Sequence, residues 1–184
     1  MLIWEKAHGH GISKEATGTR DGASESFDRL AEYLADMTNS IDREIVTTRV
    51  VDAPREPVFE VWTDSKQVAQ WWGPNGFTNT IHEMDVRPGG VWRFVMHGPD
   101  GVDYKNKIVF DEIVKPERLV YSHVSGPMFH VTATFDEQGG KTKLTMRMLF
   151  ETAAERDKAV KVFGAVEGAK QTLGRLEEHV AKTG

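Results

Sequence analysis

Histidine is the residue type in this sequence best suited to chemistry near neutral pH, because imidazole titrates there and binds metal ions. The chain has seven histidines and no cysteine, so thiolate nucleophiles, disulfides and cysteine-bound zinc are excluded. His8 and His10 lie in a glycine-flanked stretch, His179 lies near the end of the last helical segment, and no pair has the helical His-x-x-x-His spacing. The spacing therefore predicts no metal site, and we expect no cofactor.

His123 and His130 flank a turn at Gly126-Pro127, and their spacing allows a histidine pair. If the turn is centred between its two residues, His123 pairs with His130 and their Cβ atoms lie about 5.5 Å apart on one face. The opposite face is apolar and is the better candidate for the interior; it then holds Val120, Val124, Phe129, Val131, Ala133 and Phe135. A register slip of one residue separates the two histidines onto opposite faces. We interpret them as surface or rim residues rather than as a catalytic pair.

His82 and the carboxylates on or beside strand-like segments are the other candidates for acid-base work. The alternation around His82 does not decide its face, so it is kept as a candidate hydrogen-bonding residue of the interior. Strand carboxylates are more often solvated outer-face residues; here they are Glu83, Asp85, Asp103, Asp111 and Glu112. No Gly-x-Ser-x-Gly elbow, Walker loop or Gly-x-Gly-x-x-Gly motif after a strand occurs. The sequence thus supplies no convergent acid-base pair, and the residues favour binding over catalysis.

Composition bounds the architecture and the partners. A chain of 184 residues with 39% hydrophobic and 28% charged content suits one domain with an appendage. The net charge of −5, without blocks of like charge, argues against a nucleic-acid partner. No stretch approaches the roughly 20 apolar residues of a membrane span, and the quickly charged start differs from a signal peptide. We therefore expect no membrane span and a cytoplasmic protein.

The first 40 residues are interpreted as an N-terminal extension. Apolar residues recur there at spacings of 3, 4 and 3, which predicts a short amphipathic helix over about 25–37. The residues of this stripe are Phe27, Leu30, Leu34 and Met37. We expect the stripe to dock on the domain that follows or on a second copy in a homodimer.

From residue 41 onward the pattern predicts an α+β domain. Period-two alternation predicts a strand over 45–51, and Pro54 suits the first turn of a helix that ends near Thr63-Asp64. A second short helix follows from Ser65 to Trp71 or Trp72. Six strand-like runs divided by turn residues lie at about 78–85, 91–97, 103–114, 118–125, 129–137 and 141–150.

After Phe150 the apolar period becomes helical. One stripe on a proline-free segment predicts a single helix over about 153–182, roughly 45 Å long. Such a helix has one apolar stripe and the sheet one apolar face. The economical packing is therefore a strongly curved antiparallel sheet that grips the long C-terminal helix.

Four motifs in this order carry a family resemblance. They are Ala53-Pro54 with Val58-Phe59 and Trp62-Thr63-Asp64, Gln70-Trp71-Trp72-Gly73-Pro74 with Gly76-Phe77, Asp85-Val86-Arg87-Pro88-Gly89-Gly90, and Pro116-Glu117-Arg118-Leu119-Val120-Tyr121. Over about residues 42–182 the chain closely resembles the START-like (SRPBCC) superfamily, and within it the branch named after activators of the heat-shock chaperone ATPase. The resemblance implies a START-like domain over 41–184 with the helix-grip fold, in the order β-α-α-β6-α.

The resemblance also implies a cavity between sheet and long helix that takes apolar ligands. Candidate lining residues are Trp72, Phe77, His82, Trp92, Phe94, Met96, Phe110, Met146, Met148, Phe163, Val166 and Ala169. Trp92, Phe94 and Met96 differ by two positions, so they share one face of their strand. Ala169 follows Glu167-Gly168, where many relatives have an aromatic residue, and a smaller side chain there implies a wider cavity.

We expect noncovalent binding of a small apolar or aromatic molecule. Two alternatives stay open at this point. The first is an enzyme of the same fold, such as a cyclase or hydrolase acting on a polyketide-like or aromatic substrate. The second is a protein interaction module that uses the N-terminal helix or the outer sheet face.

Overall fold

Residues 18–183 are described by a computed structural model of the chain. The chain divides into two compact units, with the boundary between Asn39 and Ser40. Helix α1, Gly18–Ile41, extends beyond the predicted helix at both ends. The side chain of Met37 lies outside the described residues. The docking of the apolar stripe and a homodimer contact stay predictions.

The second unit is built on one sheet, which within residues 18–183 has seven antiparallel strands in the order β1-β7-β6-β5-β4-β3-β2. The strands are β1 Glu44–Val51, β2 Thr78–Met84, β3 Val91–His97, β4 Asp103–Val114, β5 Arg118–His123, β6 Phe129–Gln138 and β7 Lys141–Phe150. Short connections pair each strand from β2 to β6 with the next, as the turn residues predict. Strand β1 completes the sheet beside β7.

Two short helices, α2 Arg55–Thr63 and α3 Ser65–Trp71, join β1 to β2. The Asp64 carboxylate caps α3 by accepting two backbone N–H groups at 2.8 and 3.1 Å. Trp62 and Trp71, one from each helix, are buried and meet edge to face with ring centroids 5.2 Å apart. This pair fixes the angle between the helices and the direction in which the chain leaves α3.

The prediction of one unbroken helix over 153–182 is wrong. The segment forms α4, Ala153–Phe163, and α5, Ala165–Thr183. Gly164 separates them in the left-handed conformation, with φ 59° and ψ 37°, and its N–H donates to the carbonyl of Ala159. Helix α5 is therefore about 28 Å long. The apolar spacing continues across the break, so periodicity alone did not reveal it.

Helix α5 packs against β1, α2 and α3. Its buried side chains include Leu173, Leu176 and Val180, which contribute to a core shared with the inner face of the sheet. A curled antiparallel sheet that holds a C-terminal helix is the helix-grip arrangement. The α+β fold class is confirmed, with the last helix in two pieces.

Candidate ligand pocket

A pocket of about 220 Å³ lies between the inner face of the sheet, helix α5 and the loop after α3. Predicted residues that line it are Trp72, Phe94, Met96, Met146, Met148, Phe163 and Ala169. Phe77 lines an adjoining cleft of about 590 Å³. The cleft and the pocket share Met96, Phe129, Met148 and Phe163, so they are neighbouring spaces. The role of these residues in binding stays a prediction.

Two of the predicted lining residues lie in the core behind the pocket wall. Trp92 is fully buried; its ring stacks on Phe94 with centroids 4.4 Å apart and meets Trp72 edge to face at 4.9 Å. Phe110 is also buried and meets Tyr121 edge to face at 6.2 Å. Both residues face inward as the alternation predicts, and both support wall residues rather than line the space.

Two other predicted residues lie away from the pocket. His82 is exposed, at an irregularity where the pairing of β2 with β3 shifts between Ile81 and Glu83. Val166 is 36% exposed, whereas the pocket residues of this helix follow the spacing Ala165, Gly168, Ala169 and Thr172. Val166 lies one residue off that stripe, roughly 100° around the helix from Ala165. The predicted stripe placed it inward because it was drawn through the break at Gly164.

The pairing of β5 with β6 corrects the predicted histidine pair. Ser122 lies opposite His130, and His123 lies opposite Phe129. The loop between the strands is centred on Gly126, which has a positive φ of 74°, and not between Gly126 and Pro127. The one-residue slip puts His123 on the inner face and His130 on the outer face. Val120 and Val124 consequently leave the inner face, and Leu119, Tyr121 and His123 take it.

His123 is a pocket residue that sequence reasoning placed on the wrong face. It is 7% exposed, and its ring stacks on Phe129 with centroids 4.7 Å apart. Its Nδ1 lies 2.7 Å from the carbonyl oxygen of Pro127, and its Nε2 lies 2.9 Å from the side-chain oxygen Oδ1 of Asn106. Burial lowers the pKa of His123, and the bond to Pro127 opposes part of that effect. Both partner atoms are acceptor oxygens, so a neutral imidazole can donate to only one of them.

Tyr121 is the second pocket residue that the sequence did not single out. It is 2% exposed, two positions before His123 on the same face of β5. Burial raises the pKa of Tyr121, so its hydroxyl keeps its proton. No hydrogen bond joins that hydroxyl to another residue in the described part of the chain. A β5–β6 loop centred on Gly126 places the odd-numbered residues of β5, Tyr121 among them, on the inner face of the sheet.

The loop after α3, here called the loop wall, consists of Trp72, Gly73 and Pro74. The guanidinium of Arg175 on α5 donates to all three carbonyl oxygens, at 3.3, 3.0 and 2.9 Å. Gly73 has a φ of 93°, and a Cβ there would lie 2.7 Å from the Met96 side chain. The loop wall is therefore held in place before any ligand arrives.

Two polar clusters lie on the outer face of the sheet. His97 contacts Asp103 at 2.6 Å through Nδ1 and Thr80 at 2.8 Å through Nε2. Ser122 contacts Asp111 at 2.6 Å and His130 at 2.9 Å. Both clusters are separated from the pocket by the sheet. Across residues 18–183, no group of three or more His, Asp and Glu side chains is arranged to hold a metal ion.

Residues 52–181 match the model of the protein family described as Activator of Hsp90 ATPase homolog 1-like protein. The chain belongs to this family. The match covers every element from α2 to β7, with α4 and most of α5, so it includes the whole pocket. The START-like resemblance and the branch named after activators of the chaperone ATPase are thereby confirmed.

Solved structures similar to this family member show the same fold. A protein from Nitrosomonas europaea has a TM-score of 0.71 and 19% identity, covering 78% of this chain and 97% of its own. A protein from Arthrobacter aurescens has a TM-score of 0.72 and 21% identity, over 76% and 87%. An AHSA1-like protein from Aeromonas hydrophila has a TM-score of 0.61 and 19% identity, over 76% and 93%.

A search of curated proteins found no match to this member of the family. None of the helices in the described chain has the length and apolar character that crossing a membrane requires.

Proposed function

We propose that the protein binds a small apolar or aromatic molecule noncovalently in the pocket. The observation that carries this proposal is the character of the wall. Aromatic and methionine side chains from β3 and β7 face small residues of α5 across the pocket. Concave, mostly apolar sites with few polar groups are typical of small-molecule binding.

The dimensions favour a molecule of one or two rings. An apolar cavity of about 150 Å³ in another protein holds benzene, and this pocket is larger, at about 220 Å³. The wall residues Ala165, Gly168 and Ala169 keep α5 from filling the space. Met96, Met146 and Met148 are flexible enough to adapt to ligands of different shape.

Binding is favoured over catalysis by the polar groups of the wall. The described residues that line the pocket include no carboxylate. His123 is the wall group that could exchange a proton, and both of its nitrogens already have protein partners. An enzyme of this fold would need a second group within reach of the substrate. We therefore propose a binding protein rather than an enzyme. Its cytoplasmic location stays a prediction.

Filling the pocket tests the proposal. Ala169→Trp places a large ring in the space, so an apolar fluorescent probe should lose most of its affinity. Val166→Trp is the matched control, because the same change one turn earlier lies off the pocket stripe and should leave affinity within about twofold. Circular dichroism checks that both variants are folded. Unchanged probe affinity in a folded Ala169→Trp variant would contradict the proposed site.

Native mass spectrometry of the protein from its own host would then identify the bound molecule. We expect a retained small molecule that Ala169→Trp displaces and Val166→Trp does not. A retained molecule that survives Ala169→Trp would place the binding site elsewhere.

A further inference from the structure

We infer that the ligand carries one uncharged oxygen group, a carbonyl, ether or hydroxyl, which pairs with the hydroxyl of Tyr121. This inference rests on the proposed function, because it assigns the polar contact of the same pocket. The rest of the ligand is apolar and fills the space between β3, β7 and α5.

Tyr121 lies in the middle of the inner face of the sheet. It stands opposite Phe110 on β4 and Val131 on β6, and both neighbours are buried and apolar. The hydroxyl of a side chain that is 2% exposed normally has a hydrogen-bond partner. Because Tyr121 lines the pocket and has no protein partner among residues 18–183, a group in the pocket is the natural partner.

The imidazole of His123 and the hydroxyl of Thr172 already have partners. His123 is held by Pro127 and Asn106, and the Thr172 hydroxyl donates to the carbonyl of Gly168 at 2.7 Å. The unpaired indole nitrogens of Trp62 and Trp92 lie in the core, outside the pocket wall. The indole of Trp72 and the hydroxyl of Tyr121 are therefore the wall groups left to recognise a polar atom of the ligand, and of these two only the Tyr121 hydroxyl can both donate and accept.

The surroundings favour an uncharged group. The described residues that line the pocket include no lysine, arginine, aspartate or glutamate. Arg175 lies behind the loop wall, and its guanidinium donates hydrogen bonds to backbone carbonyl oxygens. A ligand carboxylate buried there would have no lysine or arginine of the wall beside it to balance its charge. Tyr121 keeps its proton, so it can donate to a neutral oxygen acceptor.

Three probes share one ring system and differ in their polar group: naphthalene has none, 2-naphthol has a neutral hydroxyl and 2-naphthoate has a carboxylate. Tyr121→Phe should weaken 2-naphthol about fivefold to tenfold, the usual net effect of one hydrogen bond, and leave naphthalene within about twofold. Tyr104→Phe, at the cleft, is the matched control and should change neither affinity. Wild type should bind 2-naphthoate at least tenfold more weakly than 2-naphthol.

The outcomes distinguish this inference from the proposed function. If naphthalene and 2-naphthol lose affinity equally in Tyr121→Phe, or neither changes, the Tyr121 contact is refuted while the pocket stands. Binding of 2-naphthoate as tight as 2-naphthol refutes the uncharged group. If none of the probes binds wild type, the proposed function fails and this inference with it. The melting temperature adds a structural readout: Tyr121→Phe should keep or raise it, and a clear fall would reveal a protein partner for the hydroxyl.

Discussion

The two faces of the β5–β6 hairpin treat the same residue type in opposite ways. His123, on the pocket side, is 7% exposed, stacked on Phe129 and held at both nitrogens. His130, on the outer side, has a side chain that is 69% exposed and lies beside Ser122 and Asp111. One imidazole is part of a wall, and the other belongs to a solvated surface cluster.

This difference shows that the loop between β5 and β6 sets the strand register, and that the register determines which face, and so which environment, each histidine occupies. A loop centred on Gly126 puts odd-numbered residues of both strands on the inner face. A centre half a residue later would put both histidines on one face and open a site for shared chemistry. The comparison therefore predicts effects that depend on face rather than on residue type.

The largest effect should come from placing a charge on each face of β6. Val131→Asp puts a carboxylate at a position that is 1% exposed, without a counter-charge, and should lower the free energy of unfolding by about 3 kcal/mol or more. Thr132→Asp, the next residue, faces outward opposite Arg147 and should change it by less than about 1 kcal/mol. Urea denaturation measures both, and equal losses would refute the assignment of the faces.

Removing each imidazole gives the next largest contrast. His123→Ala deletes the ring stack and leaves Asn106 and the Pro127 carbonyl without their partner, so unfolding should become easier by about 2 kcal/mol. His130→Ala on the solvated face should stay within about 0.5 kcal/mol of wild type. Thermal and urea unfolding of the two variants measure these losses of stability. A larger loss for His130→Ala than for His123→Ala would contradict the assignment of His123 to the inner face.

The pH dependence of stability should also follow the inner face. Burial holds the folded pKa of His123 below its ordinary 6.5, so the unfolded chain takes up a proton first as the pH falls through 6.5. This stability is fully present above pH 6.5 and declines below it, by at most about 1.4 kcal/mol per pH unit, until the folded pKa is reached. His179, whose pKa is lowered by partial burial and by Lys182, adds a smaller part of the same sign.

Substitution at His123 tests the origin of this slope. His123→Phe keeps a ring against Phe129 but cannot titrate, so its urea midpoint should fall less than that of wild type between pH 7 and 5. His179→Gln should remove a smaller share. A His123→Phe variant with the full wild-type slope would show that the pH dependence arises elsewhere.

The smallest expected effect is that of metal removal. Because His123 and His130 lie on opposite faces, they cannot ligate one ion together. We expect a chelator to leave the melting temperature and probe binding unchanged. Added zinc should not bind at one equivalent per chain. One equivalent of zinc that survives chelation, and is lost on His123→Ala or His130→Ala, would contradict this prediction.

Much of the fold could be predicted because turn residues and alternation are local signals. The bounds of β3 and β4 follow directly from the turns beside them, and the shared face of Phe94 and Met96 follows from their spacing. The pairing of β1 with β7 was not specified, since a contact between the two ends of a domain leaves no local pattern. The position of β1 in the sheet is therefore known only from the structure.

The parts of the pocket that could not be predicted depend on single residues with non-local effects. Gly126 shifts the register of β5 and thereby moves His123 inward, and Gly164 breaks the last helix and turns Val166 outward. An irregularity beside His82 leaves that residue exposed. Apolar spacing is blind to such changes of direction. Tyr121 lies in one of the four family motifs, but its pocket position follows only from the observed register.

The most direct test of the pocket is NMR of protein labelled at the methionine methyl groups, titrated with naphthalene. Ring currents of the bound probe shift nearby methyl signals, so the measurement locates the ligand without any substitution. We expect shifts for Met96, Met146 and Met148 on the pocket wall, and none for Met84 or for Met128 outside it. Saturable binding that shifts Met84 or Met128 and leaves the three wall methionines unchanged would contradict it.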